Sequence, residues 1–207
     1  MGNYFLAKKI DLMESYRYDS LVRQIIKDIV LMYKKESDGH FYLPYDVDEE
    51  SDEYDFKDIF VSVELILEES NTVDDFLLNA DFYPDDDTIV VKIVYNPEFK
   101  TKNIYNMVGE LNELIAHELR HSHQKNTGLF DLDSDMDVDE EKGFEYYTRP
   151  EEIDAQYYGF KRMSKITKKP FDELVKNWFK KYKDVHQMDD SEVEETVSMI
   201  LNYRPKI

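Results

Sequence analysis

The chain has 207 residues, 42% of them hydrophobic, a formal net charge of −20 and no cysteine. That is material for a single packed domain. It excludes disulfide staples and thiolate metal sites, and it argues against nucleic acid or an anionic membrane as partner, whose phosphates such a charge repels. No apolar run approaches the roughly 18–20 residues that span a bilayer. The opening MGNYFLAKKIDLMESYRYDS carries neither the apolar stretch nor the small-residue cleavage site of a secretory signal. Leu6 stands where a myristoylation motif wants Ser or Thr. A cytoplasmic protein is expected, or a virion-associated one: Lys, Asn, Tyr and Ile are frequent, as in products of AT-rich genomes such as those of phages.

In chain order, Asp19 or Ser20 is placed to cap a first helix running to about Lys35, with Leu21, Ile25, Ile26, Ile29, Val30 and Tyr33 at helical spacing. His40 to Tyr45 reads as a short strand. Residues Asp46 to Asp58 hold eight acids and read as a solvated loop. Phe60 to Leu67 alternates and is rich in β-formers, so it is a strand. Phe76 to Phe82 is a further strand candidate, and Thr88 to Pro97 is a second clear strand, ended by Pro97. Tyr83-Pro-Asp-Asp-Asp between them is a turn. Beyond Pro97 the period becomes helical, with Ile104, Val108, Leu111, Ile115 and Leu119 on one stripe. An acidic loop spans Asp131 to Lys142. Its alternating Asp residues resemble a calcium loop, but the positions that should hold Gly and Glu hold Met136 and Lys142. Further helices are expected near Arg149, from Pro170 and near Ser191. This order predicts an α+β fold, with a small mixed or antiparallel sheet packed on the long helix. It forms one domain over 1–207, with a core at 58–165 and a helical C-terminal extension at 166–207.

The long helix carries His117-Glu118-Leu119-Arg120-His121. Residues i and i+4 sit one turn apart on the same face. Two neutral imidazoles there can reach one Zn²⁺ at about 2.0–2.1 Å, and the intervening Glu stands beside them as a general base. At about 100° per residue, with His117 at zero, His121 falls near 40° and Glu118 near 100°. The apolar stripe occupies about 120–200°. The metal face and the buried face are adjacent but distinct.

Catalytic zinc usually takes three protein ligands and a water. His123 points to another side of the helix, and His40 and His186 are isolated, so a carboxylate is the better candidate. In the segment from Tyr146, Thr148 and Glu151 match the T-x-x-E capping box. That leaves Glu152 free, centred on a helical stripe with Ala155 and Gly159, small residues that let a second helix approach closely. Glu152 is the expected third ligand, with Glu151 as the alternative. Asp154 points elsewhere, as a supporting acid behind the ligands or as a surface charge at a helix start.

At these residues the chain resembles the zincin metallopeptidases, and within them the gluzincin-like group with a Glu third ligand. HELRH followed about 30 residues on by E-x-x-A is similar to the minimal metallopeptidases of phages and prophages. The likeness covers roughly Phe60 to Lys165. It implies a zinc-dependent peptidase acting on a protein or peptide substrate, with His117, His121 and Glu152 on the metal and Glu118 as catalytic base. Four residues after Glu152 stands Gln156 where the thermolysin pattern has Asp, and there is no third His at the metzincin spacing. Tyr146, Tyr147 and Tyr157 are all available to stabilise an oxyanion. The strand Thr88 to Tyr95 could bind substrate by strand addition. Two other readings share the sequence: a zinc-bearing scaffold or interaction protein without turnover, and an acidic inhibitor that occupies a nucleic-acid-binding protein.

Overall fold

The computed structural model describes residues 2–45, 61–100, 102, 104–130 and 143–205, with side chains from residue 19 onward. The acidic loops expected at 46–58 and 131–142 lie outside the described residues. The elements are α1 (Gly2–Lys35), β1 (Gly39–Tyr45), β2 (Val61–Glu69), β3 (Phe76–Tyr83), β4 (Thr88–Tyr95), α2 (Ile104–Thr127), α3 (Phe144–Tyr147), α4 (Pro150–Thr167), α5 (Phe171–Tyr182) and α6 (Asp190–Asn202). The class is α+β, with one small mixed sheet of four strands in the order β1-β2-β4-β3. β2 and β4 run parallel, and the two outer pairs are antiparallel. No helix among the described residues is long and apolar enough to cross a membrane.

Strand alternation sets which face is buried. Val63, Leu65 and Leu67 of β2 and Ile89, Val91, Ile93 and Tyr95 of β4 all point to one face. There they meet Val22, Ile25 and Ile29 of α1 and Met107, Leu111, Ile115 and Leu119 of α2. A second apolar cluster, centred on Phe160, Val175, Phe179 and Ile200, joins α4, α5 and α6. The long helix α2 therefore has two neighbours. Its apolar stripe serves the sheet-side core, and its polar face packs on α4.

Three expectations are corrected. The first helix does not begin at Asp19 or Ser20 but runs from Gly2, so Asp19 is mid-helix. Its carboxylate instead pairs with Arg162 and Lys165 of α4. The capping box at Thr148 does not form. Four helical residues, Phe144–Tyr147, stand just upstream, and Thr148 closes them, its hydroxyl donating to the Phe144 carbonyl at 2.7 Å. Arg149 becomes the N-cap of α4 without a side-chain bond, and Pro150 fills the first turn, where its missing N–H is no loss. Finally, β4 is an interior strand hydrogen-bonded on both sides, so it offers no edge to a peptide. Among the described residues, β3 is the outer strand beside α2 and pairs on one side only. A capping box does form at α6, between Asp189 and Glu192.

Candidate metal centre

The polar face of α2 and the first turn of α4 bring His117, His121 and Glu152 together. The close approach depends on small residues. Ala155 is fully buried, and an added Cβ on Gly159 would lie 2.9 Å from the Glu113 carbonyl oxygen of α2. Glu152 lies one and two turns before these residues on the same stripe, so close helix packing delivers its carboxylate to the histidines.

The distances have the size of a metal site. His117 Nε2 and His121 Nε2 are 3.0 Å apart. Glu152 Oε2 is 3.4 Å from His117 Nε2, and Oε1 is 3.1 Å from His121 Nε2. A tetrahedral ion with ligands at about 2.0–2.1 Å separates its donors by about 3.3 Å. Two facing ring nitrogens can share only one proton, and Glu152 Oε2 is buried without a hydrogen-bond partner. A cation between the three donors satisfies what protons alone do not. Among the described residues this is the one cluster of its kind. Glu151 contributes only its carbonyl, to Gln124, so the alternative third ligand is not used.

Glu118 stands beside the triad, with Oε1 3.9 Å from His117 Nε2. All four side chains are deeply placed, their residues between 5% and 8% exposed. Burial lifts the Glu118 carboxyl well above its ordinary value. Burial also works against the Glu152 carboxylate, yet His121 and His117 hold it well below the usual carboxylate range. His121 is pulled down by burial but raised on balance, to about 9, by Glu152. His117 is lowered by burial. A metal ion arriving here must therefore displace a proton from His121.

Behind the ligands lies a chain of hydrogen bonds. His121 Nδ1 is 2.8 Å from Gln124 Oε1. The Gln124 amide nitrogen donates to Glu151 O at 2.9 Å and to Asp154 Oδ2 at 2.8 Å. Its oxygen must then accept from His121, which puts the proton on Nδ1 and leaves Nε2 for the ion. Asp154 is completely buried. It also accepts from Arg120 Nε at 2.6 Å and from the Tyr203 hydroxyl, just past α6, at 2.7 Å. The surface reading of Asp154 is thereby overturned, because α2 covers one side of α4 and the C-terminal segment covers another.

The other sequence candidates separate cleanly. His40 is an exposed partner of Glu64, His186 sits against Tyr147 and Trp178, and His123 takes no part in the cluster. Tyr147 is committed to His186 at 2.8 Å, and Tyr157 packs on Phe171 and Tyr203. Tyr146 packs edge-on against Tyr147 at the border of the second apolar cluster, near both the Glu152 and the Glu118 carboxylates. Burial first, and then the Glu152 and Glu118 carboxylates, raise its hydroxyl far above the ordinary value. Sequence reasoning missed Gln124 and Arg120. Three residues past His121, Gln124 returns to about the same helical angle, and that was the available signal.

Comparison with known protein families, with curated proteins and with solved structures finds no match. The chemistry of the site rests on its own geometry.

Proposed function

We propose that this protein is a zinc-dependent peptidase of zincin-like design. The observation that carries the reading is Glu152 of α4 meeting the histidine pair of α2 with the Glu118 carboxylate alongside. His117, His121 and Glu152 hold the ion. Two imidazoles and one carboxylate are a zinc donor set that leaves a fourth position open. Bound zinc acts as a Lewis acid on the scissile carbonyl and makes water nucleophilic at neutral pH.

Glu118 takes a proton from the attacking water as oxygen adds to the carbonyl carbon. It returns that proton to the nitrogen as the C–N bond breaks, releasing acid and amine. Burial raises its carboxyl above the ordinary carboxylate range, which favours the protonated form it passes through before it gives the proton up. The Tyr146 hydroxyl, facing the same carboxylates, is the candidate donor to the developing oxyanion. An extended peptide adds to the outer strand β3, which lies beside α2. That outer strand supports a protein or peptide as the substrate.

One observation favours a second reading, a zinc-bearing scaffold without turnover: all four residues of the centre are buried. A single set of experiments separates the two. The purified chain is assayed for zinc and for cleavage of a protein panel, with and without chelator. The peptidase reading expects one zinc per chain and chelator-sensitive cleavage. Glu118→Gln should keep the zinc and lose cleavage, and Tyr146→Phe should keep the zinc and lose roughly 100-fold or more in rate. Stoichiometric zinc with no cleavage of any panel member selects the scaffold. A chain that takes up no zinc defeats both readings.

A further inference from the structure

The polar seam between α2 and α4 holds a buried ring nitrogen and a buried amide oxygen that match each other chemically and stand unpaired. His117 Nδ1 has no hydrogen-bond partner, and neither has Gln156 Oε1. Their residues are 6% and 4% exposed, so bulk water does not reach them. Such orphans are few in folded proteins, and each calls for a reason. The other histidine of the pair is already backed: His121 Nδ1 faces Gln124 Oε1 at 2.8 Å.

The packing of the two helices aims these atoms toward one another. Glu152 of α4 meets His117 and His121 of α2, while Gly159 of α4 meets Glu113. The helices therefore run antiparallel, and the α4 stripe of Glu152, Gln156 and Gly159 lies along the α2 stripe of Glu113, His117 and His121. Gln156 falls between the two fixed contacts, one turn or about 6 Å past Glu152, at the level of His117. Side chains on a helix lean toward its N-terminus. In α4 that carries the Gln156 amide back toward Glu152 and the histidines. His117 turns Nε2 toward His121 and Glu152. The two nitrogens of an imidazole point away from each other. Nδ1 thus turns toward the Glu113 end of α2, where Gln156 enters.

We propose that Gln156 is the positioning residue of His117, its Oε1 accepting the proton of Nδ1 and so holding Nε2 toward the ion. A neutral ring that gives Nε2 to a metal carries its proton on Nδ1, and that donor needs an acceptor. The amide supplies one without charge. A carboxylate in its place would join the buried carboxyl groups of Glu113, Glu118, Glu152 and Asp154, and like charges crowded together disfavour one another's ionisation. Each ligand histidine is then fixed by a glutamine, His121 from within α2 by Gln124 and His117 across the seam by Gln156. The inference rests on the reading of the triad as a zinc site and not on peptide hydrolysis.

Chelator competition on the full chain reads zinc affinity without any substrate. Gln156→Met keeps the length of the side chain and removes the acceptor, so zinc should bind roughly 10-fold to 100-fold more weakly. Urea unfolding of metal-free Gln156→Met should show a midpoint no lower than the parent's, because the variant no longer buries an unpaired amide oxygen. Gln156→Glu returns an acceptor oxygen and should recover most of the lost affinity, which packing alone would not do, since Met fills the same space. Nitrogen NMR of the zinc-loaded parent should show a proton on His117 Nδ1 that exchanges slowly with water. Gln156→Met should speed that exchange and leave the His121 signal in place. The proposal is overturned if Gln156→Met binds zinc as tightly as the parent, if Gln156→Glu binds it no better than Gln156→Met, or if His117 carries no proton on Nδ1 in the zinc-loaded parent. A parent that binds zinc and cleaves nothing would sink the peptidase reading and leave these outcomes unchanged, whereas one that takes up no zinc overturns both.

Discussion

Replacing Gly159 by Ala should push Glu152 away from the histidines. The added Cβ would lie 2.9 Å from the Glu113 carbonyl oxygen and 3.1 Å from Glu113 Oε1, where ordinary contact begins at 3.4 Å. The nearer atom belongs to the backbone, so no side chain can swing aside, and α4 must retreat from α2 by about 0.5 Å at that point. A zinc site tolerates about 0.2 Å in its ligand distances. Glu152 sits two turns from Gly159, about 10 Å along the axis. Even if the shift at Glu152 is half that at Gly159, it reaches the tolerance. Zinc affinity should fall by roughly 10-fold to 100-fold, the range found when groups that orient ligands are disturbed. Stability changes less. Overpacking costs about 1–3 kcal/mol, and exchanging a mid-helix Gly for Ala returns about 1 kcal/mol. The assay is competition against a chelator of known affinity, with urea unfolding of the metal-free protein alongside. Gly109→Ala is the control, since nothing lies within 4 Å of its added Cβ. It should stabilise α2 by up to about 1 kcal/mol and leave zinc untouched. Gly159→Ala protein that holds zinc as tightly as the parent would refute the claim that close packing here positions the third ligand.

Three further outcomes are expected. Glu113 is buried in α2, and burial, aided by Glu110, raises its carboxyl from 4.5 to about 8. Below pH 4.5 both folded and unfolded chains hold this proton, so its contribution to stability is fully present. Between 4.5 and about 8 only the folded chain keeps the proton, and stability falls as pH rises. Glu113→Gln should remove that slope, so urea unfolding at pH 5 and pH 8 should show the variant gaining on the parent at the higher pH. Equal pH dependence in the two proteins would place the ionisation elsewhere. Asp154→Ala takes the paired carboxylate from the buried Arg120 guanidinium, which should destabilise the fold by about 3–5 kcal/mol in denaturant. It should also loosen zinc by tenfold or more in chelator competition, because Gln124 loses its anchor. Unchanged zinc affinity in folded Asp154→Ala protein would remove the network from the site. Stripping the metal should lower the melting temperature, since zinc at about 1,000 times its Kd is worth about 4 kcal/mol to the native state. A melting curve indifferent to chelator would mean that the triad does not hold an ion.

Much of this was legible in the sequence because it depends on local periodicity. The HELRH spacing and the stripe from Ile104 to Leu119 fix which side of α2 carries the histidine pair and which faces the core, and the structure orients them so. The choice of Glu152 over Glu151 rested on a Thr148 capping box, which does not form, and on the small-residue stripe of Ala155 and Gly159, where the close helix packing is found. The rest needed tertiary information. Strand order is invisible to alternation, and β4, the most apolar strand, proved to be interior, leaving β3 as the edge. The four-residue α3 is too short to leave a periodic signature, so Thr148 looked like a helix start when it is a helix end. Asp154 looked like a surface charge because nothing local announces that Tyr203, 49 residues on, donates to it.

That last contact bears on why the centre forms at all. The polar face of α2 lies between two apolar clusters, one shared with the sheet and one belonging to α4, α5 and α6. Charged groups in such a seam are stable only when they are paired or neutralised. Asp154 is matched by Arg120, and its remaining oxygen capacity is filled by Gln124 and Tyr203. His121 and Glu152 offset each other, and burial keeps the Glu118 and Glu113 carboxyls above their ordinary values. Among the described residues the seam gathers four buried carboxyl groups, those of Glu113, Glu118, Glu152 and Asp154. A divalent cation held by the triad would place its positive charge at the most crowded point of that seam. These neighbours argue against an accidental pair of histidines on a helix face: an incidental His-Glu-x-x-His would not be met by a third buried carboxylate, nor backed by a glutamine whose amide oxygen faces His121 Nδ1.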